Sequence, residues 1–363
     1  MWWYMKQRSI NQLLIALLIM GCTSQSNNPI EDNIDEVGSN LTRDKVILLA
    51  DQFARIHWQM TDENIHASGC AGSNNFTSQY PVGPRIGMGY KWSGWENIDD
   101  FMQKIEEGYG TGTGGYVDYS VLGVPLDCFT GVSCTGFVSK VWQLEKKYTL
   151  NYGDAVNAPQ FQQISSQISY SDLKKGDALI NSEHIMLYAY TNRNGTIMIF
   201  DSSGEGVLFH PVSWSYLNPR NTIPIRYNRI EEVENEQGTV TNPFVINYSS
   251  TQFVHKGNTR NVVSLTFDTY SLIPEKSQLG PECIYQLNIN SSSSISINVT
   301  DLKHENIDNN IFLLTSLDTE NYTTTDCIAW GDHNIDIELN SGTYYVVVDS
   351  ENDLPGEYIL TVN

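Results

Sequence analysis

Ser133-Cys134-Thr135-Gly136-Phe137-Val138-Ser139-Lys140-Val141-Trp142-Gln143-Leu144-Glu145-Lys146-Lys147 places Phe137, Val138, Val141, Trp142 and Leu144 on one side of a helix and Ser139, Lys140, Gln143 and Glu145 on the other. A helix with that pattern packs on a core. Ser133 is a natural N-cap, which makes Cys134 the first helical residue. A thiol at that position gains from the helix dipole, and its own N–H belongs to the donors that a helix start leaves unpaired. The small Thr135 and Gly136 leave room for a substrate backbone. Cys134 therefore has two readings, a nucleophile favoured as thiolate or a buried structural cysteine.

About fifty residues downstream, after the polar turn Asn181-Ser182-Glu183, His184 opens the apolar run Ile185-Met186-Leu187-Tyr188-Ala189-Tyr190. A second run, Gly195-Thr196-Ile197-Met198-Ile199-Phe200-Asp201, follows Thr191-Asn192-Arg193-Asn194, so the two read as a β-hairpin. Alternation puts His184, Met186, Tyr188 and Tyr190 on one strand face. A polar ring at the end of a packed strand needs a partner. With a four-residue loop Asp201 lies opposite His184, placed to fix the imidazole tautomer; a loop one residue longer brings Ser202 there instead. His57, His66 and His210 stand near no acidic or thiol partner in the sequence, and neither a metal nor a cofactor is expected.

Upstream, residues 42–60 carry apolar residues at helical spacing, with Thr42 as cap and Asp44 in the first turn. Residues 68–90 are rich in Gly, Pro, Ser and Asn and read as loop. Residues 99–107 form a short helix closed by Gly108. The glycine tract 110–115 contains Gly110-Thr111-Gly112 but lacks the strand-to-helix context of a phosphate loop. Helices followed by antiparallel strands define an α+β domain.

Four motifs in order resemble the NlpC-type, papain-like cysteine peptidases of bacterial cell walls. They are Gly89-Tyr90-Lys91-Trp92-Ser93-Gly94, Cys134-Thr135-Gly136-Phe137-Val138, Leu173-Lys174-Lys175-Gly176-Asp177, and His184 opening an apolar strand. The resemblance covers residues 86–203 and implies N-terminal helices packed on an antiparallel sheet, with Cys134 as nucleophile, His184 as base and Asp201 as the polar orienter. Tyr90 would line the cleft, with Trp92 and Ser133 beside it as substrate-binding residues. The family has Asp before its cysteine where this chain has Ser133; Asp127-Cys128 offers that pair but lacks the Gly-Phe-Val that should follow. The implied substrate is an amide bond in peptidoglycan stem peptides.

Beyond an acidic linker at residues 231–241 the chain changes character. Short strand-like runs, Gln286-Leu287-Asn288-Ile289, Ser294-Ile295-Ser296-Ile297, Asn310-Ile311-Phe312-Leu313, Asn334-Ile335-Asp336-Ile337, Thr343-Tyr344-Tyr345-Val346 and Glu357-Tyr358-Ile359-Leu360, alternate with Gly, Asn, Asp and Ser. No helical pattern interrupts them, so residues 242–363 read as an all-β sandwich. Pro281-Glu282-Cys283-Ile284-Tyr285, Ile307-Asp308-Asn309-Asn310 and Ser341-Gly342-Thr343-Tyr344-Tyr345 resemble the bacterial pre-peptidase C-terminal domain, which implies a positioning or binding role. The catalytic domain is expected over residues 42–230.

The chain starts with Lys6 and Arg8, a short apolar core from Leu13 to Met20, and Gly21-Cys22. That is the pattern of a secretory signal peptide over residues 1–21. Ile19-Met20-Gly21-Cys22 resembles the lipobox at which bacteria attach lipid to a cysteine, here Cys22, so the protein is expected in the cell envelope, anchored to a bacterial membrane through its N-terminal lipid. Residues 22–41 are polar and read as a disordered tether. The net charge of −21 and the absence of any basic block exclude nucleic acid as a partner. A monomer is expected. Six cysteines with Cys22 lipidated and Cys134 kept free leave Cys70 to pair with Cys128 and Cys283 with Cys327. Two rival readings stay open: an inactive surface binding lipoprotein, and a thiol amidase or acyltransferase acting on other amides or lipids.

Overall fold

The computed structural model describes residues 41–70, 77–112, 126–150, 159–232, 236–249, 251–261, 264–302, 307–320, 323–350 and 355–363. The signal peptide, Cys22, the tether up to residue 40 and the glycine tract beyond Gly112 lie outside them. Leu41, assigned to the tether, is buried in the first core.

Helix α1 (Arg43–Arg55) begins where Thr42, in extended conformation, accepts from the Lys45 N–H at 3.3 Å. It is shorter than the helix expected over residues 42–60. His57, Trp58, Gln59 and Met60 alternate exposed and buried, which is a strand period, and form β1 (His57–Met60) against β2 (Gly83–Ile86). A single turn, α2 (Asp62–Ile65), precedes that hairpin's second strand, and α3 (Ile98–Glu106) follows it. Helix α4 (Cys134–Val141) carries the candidate thiol. It too is shorter than expected, because Gln143 takes a left-handed φ of 52° and turns the chain away. Ser139, assigned to its polar side, is buried with its hydroxyl donating to the Thr135 carbonyl at 2.7 Å.

Six antiparallel strands follow: β3 (Ser165–Gln167), β4 (Ala178–Ile180), β5 (Ile185–Thr191), β6 (Ile197–Ser203), β7 (Gly206–Val212) and β8 (Ile223–Tyr227), in the order β3-β8-β4-β5-β6-β7. Ile185, Leu187, Ala189, Met198 and Phe200 point to one face, where they meet Val46, Ile47 and Phe53 of α1 and Phe137, Val138 and Val141 of α4. Each of these side chains contributes roughly 1.5–3 kcal/mol by leaving water. The other face buries Leu179, Met186, Tyr188, Ile197 and Ile199 with Val212 of β7 under Leu217 of the short helix α5 (Trp214–Leu217).

The β5–β6 register departs from the expected one by two residues. Leu187 pairs with Phe200 and Tyr188 with Ile199, and a bulge at Ala189 then sets Tyr190 opposite Met198. The turn spans residues 192–196, with Asn192 Oδ1 accepting from Thr196 N at 2.9 Å and Gly195 at φ 84°. A shift of two preserves the facing of every side chain. It moves Asp201 from directly opposite His184 to the diagonal position on the same face.

The second half is a sandwich of a five-stranded and a four-stranded sheet. The first has the order β17 (Cys327–Gly331), β14 (Asn309–Leu314), β19 (Gly342–Ser350), β12 (Glu282–Ile289) and β9 (Phe244–Asn247); the second has β10 (Phe253–Asn258), β20 (Glu357–Val362), β13 (Ser293–Asp301) and β18 (Asn334–Leu339). Tyr285, Leu287, Ile311, Leu313 and Val346 of one sheet face Ile295, Ile297, Val299, Leu360 and Val362 of the other. The outer face of the five-stranded sheet is covered by Phe267, Tyr270 and Ile273. The two-residue strands β11 (Thr269–Tyr270), β15 (Thr319–Glu320) and β16 (Thr323–Thr324) pair beside it.

The expected Cys283–Cys327 bridge is overturned: both thiols are free and buried. Two strands, β14 and β19, stand between theirs, a span of roughly 14 Å at about 4.8 Å per strand. They also face opposite ways, Cys283 into the sandwich core and Cys327 to the outer cluster. A disulfide reaches across about 7 Å of Cα separation at most. Cys70 and Cys128 are bonded, with their Cα atoms 5.4 Å apart.

The first two linker residues are tied down. Glu231 N donates to Leu41 O at 2.8 Å, and Glu232 accepts from Arg43 at 2.7 Å and Lys174 at 3.0 Å. Just past β10, Arg260 reaches back to Asp51 of α1, which is also held by Arg55 at 2.6 Å and by Asn258 at 3.2 Å. Arg260 lies over the Phe209 ring at 4.5 Å, and Arg193 of the hairpin turn pairs with Asp268 at 3.0 Å.

Candidate active site

The start of α4 is locked from two sides. Ser133, extended at φ −89° and ψ 170°, accepts from the Gly136 N–H at 3.2 Å and donates through its own N–H to Gly94 O at 3.1 Å. Val132 bridges both Tyr90 and Trp95, and its carbonyl accepts from Ser202 Oγ at 3.0 Å. The loop of residues 89–95 is thereby fastened to the two residues before Cys134. Gly136 makes this closeness possible, since a Cβ there would sit 1.8 Å from Gly94 O.

Glu96 anchors the approach. Its carboxylate accepts from Thr130 Oγ1, from Gly131 N at 2.6 Å, and from Lys104 and Lys91 at 2.6 and 3.2 Å. Burial would raise its pKa, but those cations and donors hold it below the ordinary value. Cys134 is a free cysteine, buried at 9% residue exposure.

His184 approaches from the end of β5. Its Nε2 lies 2.6 Å from Asp201 Oδ1, and the Cys134 thiol is a hydrogen-bond neighbour of the same ring. Because the ionised carboxylate can only accept, the Nε2 that faces it carries a proton. Burial pushes the imidazole pKa down, but the Asp201 hydrogen bond and Cys134 outweigh it and set it well above 6.5. Asp201 is nearly buried; burial would raise its pKa, yet the His184 hydrogen bond and the nearby His210 imidazole hold it at about 2. His210 Nε2 stands 3.7 Å from Asp201 Oδ2, and that contact raises the His210 pKa against the opposing effect of burial.

Cys134, His184 and Asp201 thus come together. Such a cluster can hold a thiolate beside an imidazolium whose tautomer is fixed by a carboxylate. Tyr90 is buried and joins the site through its backbone, bridging Val132 and donating its N–H to the Tyr80 hydroxyl at 3.2 Å. Trp92 is half-buried in the same loop. Ser133 departs from its expected place among substrate-binding residues: its hydroxyl is buried and committed to Gly136, Gly94 and Thr135. It caps the helix as an aspartate would, so its presence before the cysteine costs the helix nothing. His210, set aside in the sequence as partnerless, is a second imidazole beside Asp201. Only the β6–β7 pairing, which puts His210 opposite Ile199, would have revealed it. Lys147 is the other omission, with its Nζ 2.8 Å from Ser93 O and 2.6 Å from Ser93 Oγ.

No family model matches the chain, and no curated protein matches it. Among solved structures, it is similar to the pre-peptidase C-terminal domain of a collagenase from Bacillus anthracis, at 17% identity and a TM-score of 0.23, over 37% of this chain and 100% of that one. It is also similar to PliG, a periplasmic inhibitor of g-type lysozyme from Aeromonas hydrophila, at 8% identity and a TM-score of 0.22, over 35% of this chain and 98% of that one.

Proposed function

We propose that the first module is a papain-like thiol hydrolase of the NlpC type, and that it cuts amide bonds in peptidoglycan stem peptides. The observation that carries this reading is the 2.6 Å contact between His184 and Asp201 on an imidazole that also faces the Cys134 thiol. The Cys134 thiolate attacks the amide carbonyl carbon, and the oxyanion rests on the Cys134 N–H, which has no acceptor within the first turn of the helix. His184 gives its proton to the departing amine, leaving a thioester. Water, deprotonated by His184, then releases the acid and restores the thiol. The chemistry calls for no cofactor.

The same reading makes residues 242–363 a pre-peptidase C-terminal-type module with a positioning role, and Cys22 the lipid attachment that holds the protein in the cell envelope. Purified peptidoglycan digested with wild type and with Cys134→Ala, followed by mass spectrometry of the released peptides, tests the proposal. New stem fragments with wild type alone are expected. Identical profiles from the two proteins would sink it.

A further inference from the structure

Glu282 and Asp349 stand directly opposite each other on β12 and β19, and neither has any exposed surface. Both point to the outer face of the five-stranded sheet, two residues from Ile284 and Val347 of the cluster there. Side chains so opposed have Cβ atoms about 5 Å apart. One oxygen of each carboxyl anchors the cover of that face, residues 264–278. Glu282 Oε1 accepts from Ser264 Oγ at 2.5 Å and from Thr266 N at 2.7 Å, and Asp349 Oδ2 accepts from the Tyr270 hydroxyl at 2.5 Å. The other oxygens, Glu282 Oε2 and Asp349 Oδ1, are buried with no hydrogen-bond partner among the described residues. Lys276, the cation of the cover, is spent on Asn310 at 3.3 Å and Asp332 at 3.5 Å. Cys327 lies beneath the cover with Phe267, Tyr270 and Ile273. The same segment touches the first half, where Arg193 pairs with Asp268 at 3.0 Å and donates to the Leu265 carbonyl.

We propose that Glu282 and Asp349 form a proton-held latch: a proton retained by the pair keeps residues 264–278 on the sandwich, and its loss releases them together with their hold on the β5–β6 turn. Two ionised carboxyls buried face to face without a cation repel strongly, so the pair keeps a proton until rising pH removes it. Burial pushes Glu282 up to about 7, and burial with the Glu282 charge sets Asp349 well above the ordinary carboxyl range. Asp268 adds a like charge toward Asp349. Tyr270, Cys283 and Cys327 around the pair are pushed up by burial and stay neutral, so the carboxyls are what titrates near neutrality. Both folded values are raised, so the latch is intact below about 4, where a released carboxyl is protonated as well. Its hold weakens as pH rises and is least above the folded values. The turn it restrains joins β5 and β6, at whose far ends His184 and Asp201 stand. Mild alkalinity thus slackens the second half's grip on that hairpin, whatever chemistry Cys134 performs.

Cys327 reports on the latch, because its thiol is reached only when the cover opens. Its modification by dipyridyl disulfide is to be followed on the full chain by peptide mass spectrometry, in wild type and in Glu282→Gln at the same pH. The ratio of the two rates cancels the titration of the thiol and of the reagent. That ratio is expected to rise at least about tenfold between about pH 4 and pH 8, since only wild type loses a buried proton over that span. Asp349→Asn, which also removes one of the two charges, should give the same rise when it takes the place of Glu282→Gln. A ratio that stays constant across this range in both comparisons overturns the proposal. A rise abolished by calcium chloride and restored by EDTA overturns it as well, because the pair would then be holding a metal ion rather than a proton.

Discussion

Asp201 accepts from His184 at 2.6 Å and has the His210 ring 3.7 Å away, and the two imidazoles together keep its carboxylate ionised down to about 2 although burial opposes it. Its contribution to stability is present above the unfolded value of about 3.9 and is lost as pH falls toward 2. His184 has the opposite sign. Its pKa is raised, so its contribution is complete below about 6.5 and is lost as pH rises through the folded value. Asp201→Asn should therefore cost most between about pH 4 and 6.5, roughly 2 kcal/mol for a depression of that size, and less at either extreme. Urea midpoints measured across pH 3 to 9 would show a bell-shaped difference; a constant difference would mean that packing rather than charge is at stake. Cys134 and His184 are legible in the sequence because each follows a local signal, a cap and a strand start. His210 and Lys147 are not, since their partners lie across strand and loop pairings that no local pattern encodes.

At the scale of elements, α4 depends on the loop of residues 89–95 as much as on its own sequence. Gly136→Ala would force its new methyl into the Gly94 carbonyl, and overpacking of this kind costs about 1–3 kcal/mol. Lower thermal stability should come with lost thiol reactivity, because the same loop fixes Val132 and Ser133. Full iodoacetamide reactivity in a destabilised Gly136→Ala protein would show that the loop does not position the thiol. Most strands of the second half are legible from alternation, as in Ile295, Ile297 and Val299, which face one core. Pairing is not. The bulge at Ala189 moved the β5–β6 register, and the strand order of the five-stranded sheet separated Cys283 from Cys327, because both depend on contacts between distant segments.

Across the whole molecule, the two halves share a charge cluster. Asp51 is buried between Arg55 of its own helix and Arg260 of the second half. Arg260→Met would leave Asp51 with less positive charge than it was buried with and would uncover Phe209. A loss of about 2–3 kcal/mol is expected, below the full cost of breaking a buried pair because Arg55 remains. Tryptophan fluorescence, which reports mainly on the first half, and far-UV circular dichroism, which follows all strands, should trace one coincident urea transition in wild type. Separate transitions would show that the halves fold independently. The Arg260–Asp51 contact also bears on how such a chain is inherited. Modules joined by slack linkers can be shuffled between genes and still fold, but a foreign sandwich spliced in after Ile230 would arrive without a cation for Asp51. The two halves of this protein are bound to change together.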